Sequence, residues 1–89
     1  MHLDIYEFTG DPDRLIEGYE RMMALMPPGN TAWHLCARRP DGIVVYDTCP
    51  NEEVFRSFST SPGFTAAIAA ASLPQPVISD QAVVAARSA

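Results

Sequence analysis

The stretch TAWHLCARRPDGIVVYDT, residues 31–48, is predicted to form a β-hairpin. Two runs of apolar and β-branched residues, Thr31 to Arg38 and Ile43 to Thr48, flank a Pro-Asp-Gly triplet. Proline presets its own φ angle, aspartate can cap the turn, and glycine accepts a positive φ. We therefore expect two antiparallel strands joined by a tight turn.

The length of this turn decides which side chains share a face of the hairpin. A two-residue loop at Pro40-Asp41 would place His34 opposite Asp47. A three-residue loop ending in Gly42 would place His34 opposite Thr48 and turn Asp47 to the other face. The triplet favours the three-residue loop slightly, and the sequence leaves both registers open.

A strand and an amphipathic helix are predicted before the hairpin. Residues 2–8 form the strand, which carries apolar side chains on both of its faces. Asp11 is suited to cap the helix and Pro12 to begin it. The apolar stripe of this helix consists of Leu15, Tyr19, Met22 and Met26. Pro27-Pro28-Gly29 is predicted to stop it.

Two short helices and a last strand are predicted after the hairpin. Asn51 is suited to cap the first helix, and Ser61 with Pro62 the second. Val77 to Ala86 is predicted to form the last strand. The order β-α-β-β-α-β predicts one α+β domain over residues 1–89, with a ferredoxin-like fold and a four-stranded antiparallel sheet.

The two faces of this sheet differ in what can cover them. The helices cover one face, but the strands carry apolar residues on the other face too, and 47% of the chain is hydrophobic. A second copy of the chain is the simplest cover. We therefore expect a homodimer.

Charge argues against several classes of partner. The net charge is −5, with six arginines and no lysine. Nucleic acids and anionic membranes both require a basic surface, so neither is expected as a partner. The N-terminus, Met1-His2-Leu3-Asp4, has an acid where a signal peptide has a positive charge. We expect a cytoplasmic protein.

Several residues on and after the hairpin form a pattern that resembles a known superfamily. They are His34, Asp41-Gly42, Val45, Asp47, Asn51, Glu52-Glu53, Phe55, Phe58 and Leu73-Pro74-Gln75-Pro76. The pattern resembles the dimeric α+β barrel superfamily, and within it the antibiotic-biosynthesis-monooxygenase type, which includes many small bacterial proteins. Cys49 departs from this pattern, because an aromatic often stands there, and the change would remove one wall of the usual cleft.

The resemblance implies a cofactor-independent monooxygenase for a small aromatic or polyketide-like substrate. In that branch the deprotonated substrate reacts with oxygen itself, so no cofactor is expected. A cyclase or isomerase of the same fold, and a non-catalytic dimer that binds a small apolar ligand or serves a stress response, are the alternatives. Haem-degrading relatives use a histidine on the second helix, and this chain has only His2 and His34.

In this fold, ligands usually lie between the sheet and the helices. The catalytic candidates are His34 as general base, Asp47 to orient it, and Tyr46 to hold a developing anion. The candidates for ligand binding are Tyr6, Met22, Trp33, Cys36 and Phe58. A purely structural role in the core or in a dimer interface is the alternative for each of them. Cys36 and Cys49 fit no metal-binding spacing, and we expect reduced thiols.

Overall fold

The structure is a computed structural model that describes residues 1–26 and 31–87. Its helices and strands are β1 (His2–Thr9), α1 (Pro12–Leu25), β2 (His34–Arg39), β3 (Gly42–Cys49), α2 (Glu52–Ser59), α3 (Pro62–Ala70) and β4 (Val77–Ala82). With α2 and α3 taken as the two pieces of one crossover, this is the predicted ferredoxin-like order. β4 ends at Ala82 rather than Ala86 because its partner strand begins at His2, which pairs with Ala82.

The strands form one antiparallel sheet in the order β2-β3-β1-β4. The central strand β1 alternates strictly: His2, Asp4, Tyr6 and Phe8 are buried, and the residues between them are partly exposed. The buried side chains face the helices. This face is called the inner face of the sheet, and the opposite face is called the outer face.

The hairpin between β2 and β3 has a two-residue loop. Arg39 pairs with Gly42, and His34 therefore pairs with Asp47. The slight preference for a three-residue loop is wrong, because Gly42 is already the first residue of β3. A Cβ at Gly42 would lie 1.9 Å from the backbone oxygen of Phe8, so glycine is needed there for close strand approach.

The predicted helix starts are confirmed. Asp11 accepts a hydrogen bond from the backbone N–H of Arg14 at 3.3 Å. Asn51 and Ser61 cap α2 and α3 in the same way. α1 ends at Leu25, and the predicted stop at Pro27-Pro28-Gly29 lies outside the described residues.

The hydrophobic core lies between the inner face and the helices, and its most deeply buried large side chains are Phe8, Ile43 and Ile68. The outer face is less well covered. Trp33, Leu35 and Val77 are 43%, 60% and 65% exposed. Within the described residues, no helix is both long enough and apolar enough to cross a membrane.

Candidate functional site

A cavity of about 410 Å³ lies between the inner face of the sheet and the helices. Its wall is mostly apolar, and the apolar side chains are Phe8, Met22, Met23, Met26, Val45, Pro50, Val54, Phe58 and Phe64. Its polar side chains are Asp4, Tyr6, Thr31, His34, Asp47, Thr48 and Cys49. An apolar cavity of this size with a few polar groups is typical of a small-molecule site.

Strand register aligns four ionisable residues in one row across the sheet. His34 pairs with Asp47, Asp47 with Asp4, and Asp4 with Asp80. All four side chains are on the inner face, because directly paired residues of an antiparallel sheet point to the same side. At the far end of the row, Nε2 of His2 lies 2.6 Å from a carboxylate oxygen of Asp80.

The ring of His34 is held by hydrogen bonds at both nitrogens. Nδ1 lies 3.4 Å from Oδ1 of Asp47, and Nε2 lies 2.6 Å from the hydroxyl of Tyr19. An ionised carboxylate can only accept, so Nδ1 carries the hydrogen. In the neutral ring Nε2 then accepts from Tyr19, and Nε2 is the only basic position of the ring.

Tyr19 reaches His34 from α1, and the two rings stack at a centroid distance of 5.9 Å and an angle of 16°. Burial raises the pKa of the Tyr19 hydroxyl, which therefore remains a hydrogen-bond donor. The sequence prediction treated Tyr19 only as a member of the apolar stripe. The sequence signal that could have identified Tyr19 is its hydroxyl group, which lies on the helix face that packs toward β2.

Asp4 is a buried carboxyl, only 3% exposed. Burial raises its pKa, and the neighbouring carboxylates of Asp47 and Asp80 act in the same direction. A hydrogen bond from the Cys49 thiol and the proximity of His2 oppose this rise. Sequence reasoning did not single out Asp4.

The hydroxyl of Tyr6 is buried and has no hydrogen-bond partner among the described residues. The residue is 4% exposed, and its ring packs against Phe64 at a centroid distance of 5.3 Å. Burial, followed by the nearby carboxyl groups of Asp4 and Asp47, raises the Tyr6 pKa far above its ordinary value. Tyr6 therefore remains a neutral donor.

Cys49 lines the cavity beside Asp4. Its Sγ lies 3.3 Å from Oδ1 of Asp4 and 3.3 Å from the backbone oxygen of Asn51. Burial and the hydrogen bond to Asp4 raise the pKa of this thiol to about 11. Cys49 is therefore a protonated hydrogen-bond donor rather than a nucleophile.

The remaining predicted residues differ in whether they line the cavity. Tyr6, Met22 and Phe58 line the cavity together with His34 and Asp47. Cys36 shares the inner face with His34 but does not line the cavity, and it is a free thiol like Cys49.

Tyr46 and Trp33 are not part of this site. Tyr46 pairs with Ile5 and Leu35 on the outer face, on the opposite side of the sheet from His34. The prediction that Tyr46 assists His34 in one pocket is therefore wrong, because alternate residues of β3 point to opposite faces. Tyr46 and Trp33 instead line an open groove of about 440 Å³ on the outer face.

Within the described residues, no three His, Cys, Asp or Glu side chains are arranged to hold a metal ion. The row brings two carboxyl groups, Asp4 and Asp47, and the imidazole of His34 to the edge of one apolar cavity.

Two solved structures have a similar fold. A proposed antibiotic biosynthesis monooxygenase from Deinococcus radiodurans aligns with a TM-score of 0.67 and 13% identity, over 100% of this chain and 98% of that chain. A second, from Chloroflexus aurantiacus, aligns with a TM-score of 0.63 and 18% identity, over 98% of this chain and 96% of that chain. This chain therefore has the ferredoxin-like fold of antibiotic-biosynthesis-monooxygenase-like proteins. No protein-family model matches the chain, and no curated protein matches it.

Proposed function

We propose that this protein is a cofactor-independent monooxygenase that binds a small aromatic or polyketide-like substrate in the cavity and removes a proton from it. The observation that carries the proposal is the pairing of His34 with Asp47 at the polar edge of an apolar cavity. The fold shared with two proposed monooxygenases supports oxygenation as the outcome of that proton transfer.

The cavity suits a substrate of two or three fused rings. Its volume of about 410 Å³ falls within the range of small-molecule sites. Met22 and Met23 of α1 and the adjoining Met26 line the cavity, and methionine adapts its shape to an irregular apolar ligand. Phe58 and Phe64 offer aromatic rings to pack against the substrate.

His34 is the proton acceptor in this proposal. Asp47 accepts from Nδ1 and so fixes the tautomer in which Nε2 is basic. In the unliganded protein the Tyr19 hydroxyl occupies Nε2. The acidic group of the substrate therefore displaces this hydroxyl when it binds.

The oxidation step needs only the substrate and molecular oxygen. The carbanion left by deprotonation passes its electrons to O₂, one oxygen atom bonds to the carbon, and the O–O bond breaks. For an acidic methylene group, CH₂ and O₂ become C=O and H₂O. The substrate carbon is oxidised, and O₂ is reduced by the same number of electrons.

Oxygen uptake with anthrone, whose methylene group is acidic, tests this function. Wild-type protein should consume oxygen and form anthraquinone, and His34→Gln should lower the rate by roughly 100-fold or more, as expected for loss of a general base. Tyr46→Phe on the outer face is the matched control and should retain the rate. An unchanged rate in His34→Gln would contradict the proposal, and conversion of the substrate to an unoxidised product under argon would instead indicate an isomerase or cyclase.

We also propose that two copies of the chain pair through the outer face. The exposed side chains of Trp33, Leu35 and Val77 form an apolar surface that a soluble monomer would leave in water. Light scattering at micromolar concentration should give twice the mass of the chain, and Leu35→Glu should give the mass of one chain. A single-chain mass for the wild type would contradict the dimer.

A further inference from the structure

Asp4 and Tyr6 form a buried polar corner of the cavity, and the proposed proton transfer to His34 assigns neither of them a role. We propose that this corner is an oxygen-binding subsite, which holds the carbonyl oxygen of the substrate and the enolate oxygen formed from it. The substrate class is then an enolisable aromatic ketone. This inference rests on the proposed function, because it assigns a substrate class to the same cavity.

The two side chains are placed for such a role by the central strand. They are neighbours on the inner face of β1, they are 3% and 4% exposed, and both line the cavity. Asp4 lies directly opposite Asp47. Because adjacent strands are about 4.8 Å apart, the backbone of His34 lies about 10 Å from that of Asp4, which leaves room for a ring between base and subsite.

Tyr6 supplies the first hydrogen-bond donor. Its hydroxyl is buried without a partner among the described residues. Buried hydroxyl groups in proteins are nearly always hydrogen-bonded, and an unpaired one needs an explanation. A ligand oxygen in the cavity would provide the missing acceptor.

Asp4 supplies the second donor. The Cys49 thiol donates to its Oδ1, and Oδ2 makes no hydrogen bond among the described residues. Two carboxylates, Asp47 and Asp80, flank Asp4 in the row. A third negative charge between them is unfavourable, which favours the protonated form of Asp4, and this form can donate to a ligand.

Among the other groups around Asp4, the Cys49 thiol and His2 oppose this effect without reversing it. His2 is the nearest basic side chain, and it is hydrogen-bonded to Asp80. The α2 side chains at the cavity, Val54 and Phe58, are apolar. Burial in these surroundings raises the Asp4 pKa, in agreement with the geometry.

The chemical step in this subsite is enolisation. The C–H bond next to the carbonyl breaks, the proton goes to Nε2 of His34, and the electron pair becomes the enolate π bond while negative charge moves to oxygen. Hydrogen bonds from Tyr6 and Asp4 strengthen as that charge develops. A phenol and a neutral carboxylic acid are a known pair of donors for an enolate in an apolar site.

Binding of 2-naphthol and naphthalene to the purified chain tests the subsite. The first probe resembles the enol of 2-tetralone, and the second has the same rings without oxygen. The wild type should bind 2-naphthol about tenfold more tightly than naphthalene, as expected for a satisfied buried donor. Tyr6→Phe should bring this ratio of affinities close to one, and Tyr46→Phe should leave it unchanged. An unchanged ratio in Tyr6→Phe, or no binding of either probe, would overturn the subsite.

Exchange of the α-hydrogens of 2-tetralone in D₂O under argon separates this inference from the proposed function. His34→Gln should abolish the enzymatic exchange, and Tyr6→Phe should slow it by about tenfold or more. If exchange depends on His34 but is unaffected in Tyr6→Phe, the role of His34 as proton acceptor is supported and the proposed subsite is wrong. If naphthol selectivity depends on Tyr6 but the wild type does not accelerate exchange, the subsite is supported and the role of His34 as proton acceptor is wrong.

Infrared spectroscopy tests the donor state of Asp4 without any ligand. The wild type at neutral pH should show the carbonyl band of a buried carboxylic acid, and Asp4→Asn should lack it. Asp4→Asn retains the shape of the side chain and one N–H donor, so it should fold and retain part of the naphthol selectivity. Absence of the acid band from the wild type would overturn the role of Asp4.

Discussion

Asp4 and Asp47 lie directly opposite each other on β1 and β3, and both side chains line the same cavity. Their surroundings differ. Asp47 accepts hydrogen bonds from His34 and from the backbone N–H of Thr48. Asp4 accepts a hydrogen bond only from the Cys49 thiol among the described residues. Two adjacent carboxyl groups with different surroundings can therefore hold different protonation states, as an acid and base pair requires.

Tyr6→Phe should stabilise the protein. The hydroxyl of Tyr6 is buried without a partner among the described residues, and the ring contact with Phe64 is retained by phenylalanine. Removing an unpaired buried hydroxyl should raise the free energy of unfolding by about 1 kcal/mol, which is several degrees in Tm for a domain of this size. Thermal unfolding of the unliganded protein measures this change in stability. A decrease of similar size in the free energy of unfolding would show that the Tyr6 hydroxyl is hydrogen-bonded.

Asp4→Asn should gain stability relative to the wild type as pH rises. The pKa of Asp4 is raised in the folded protein, so between the unfolded and folded pKa values the folded state binds more protons. Wild-type stability therefore falls as pH rises through this window, and asparagine lacks this contribution. Urea unfolding from pH 4 to pH 8 measures the difference between the two proteins.

The exposed Asp13 provides the control for this pH series. Its side chain is 76% exposed and forms an ion pair with Arg38. Asp13→Asn should shift stability by a small amount because surface ion pairs contribute little. A difference between Asp4→Asn and the wild type that stays constant with pH would contradict the assigned protonation of Asp4.

Cys49 should react slowly with alkylating agents. Its pKa of about 11 leaves a much smaller thiolate fraction at pH 8 than an ordinary cysteine has, so alkylation should be roughly 10- to 100-fold slower. Iodoacetamide labelling in a Cys36→Ser background measures this rate. Asp4→Asn removes one cause of the high pKa and should accelerate labelling. A rate equal to that of a free thiol would contradict this environment.

Tyr19→Phe should accelerate proton abstraction. The variant retains the ring that stacks on His34 but removes the hydroxyl that occupies Nε2. A hydrogen bond that the substrate must displace is worth about 1 kcal/mol, so kcat/KM for 2-tetralone exchange should rise by up to about tenfold. A large decrease would show instead that Tyr19 transfers the proton to His34.

The sequence predicted the fold well because its signals are local. Asp11, Asn51 and Ser61 are helix caps that act within one turn, and the apolar residues of 2–8 indicated the strand β1. The hairpin register was harder to predict. It depends on the close approach of Gly42 to Phe8 of another strand, which no local pattern encodes.

The candidate site could be predicted only in part for the same reason. His34 and Asp47 were found as a pair that required a particular register, and the structure has that register. Tyr46 was placed with them because the register was open, although it lies on the outer face. Tyr19 and Asp4 were missed because their roles depend on contacts between elements that are distant in the chain.

A crystal structure with 2-naphthol tests the central claim, that the cavity is the substrate site, most directly. The naphthol oxygen should lie about 2.7 Å from the Tyr6 hydroxyl and within hydrogen-bond distance of Asp4. Its rings should lie against Met22 and Phe58, with the edge toward His34. Naphthol bound instead in the outer-face groove beside Trp33, with the cavity empty, would contradict the account.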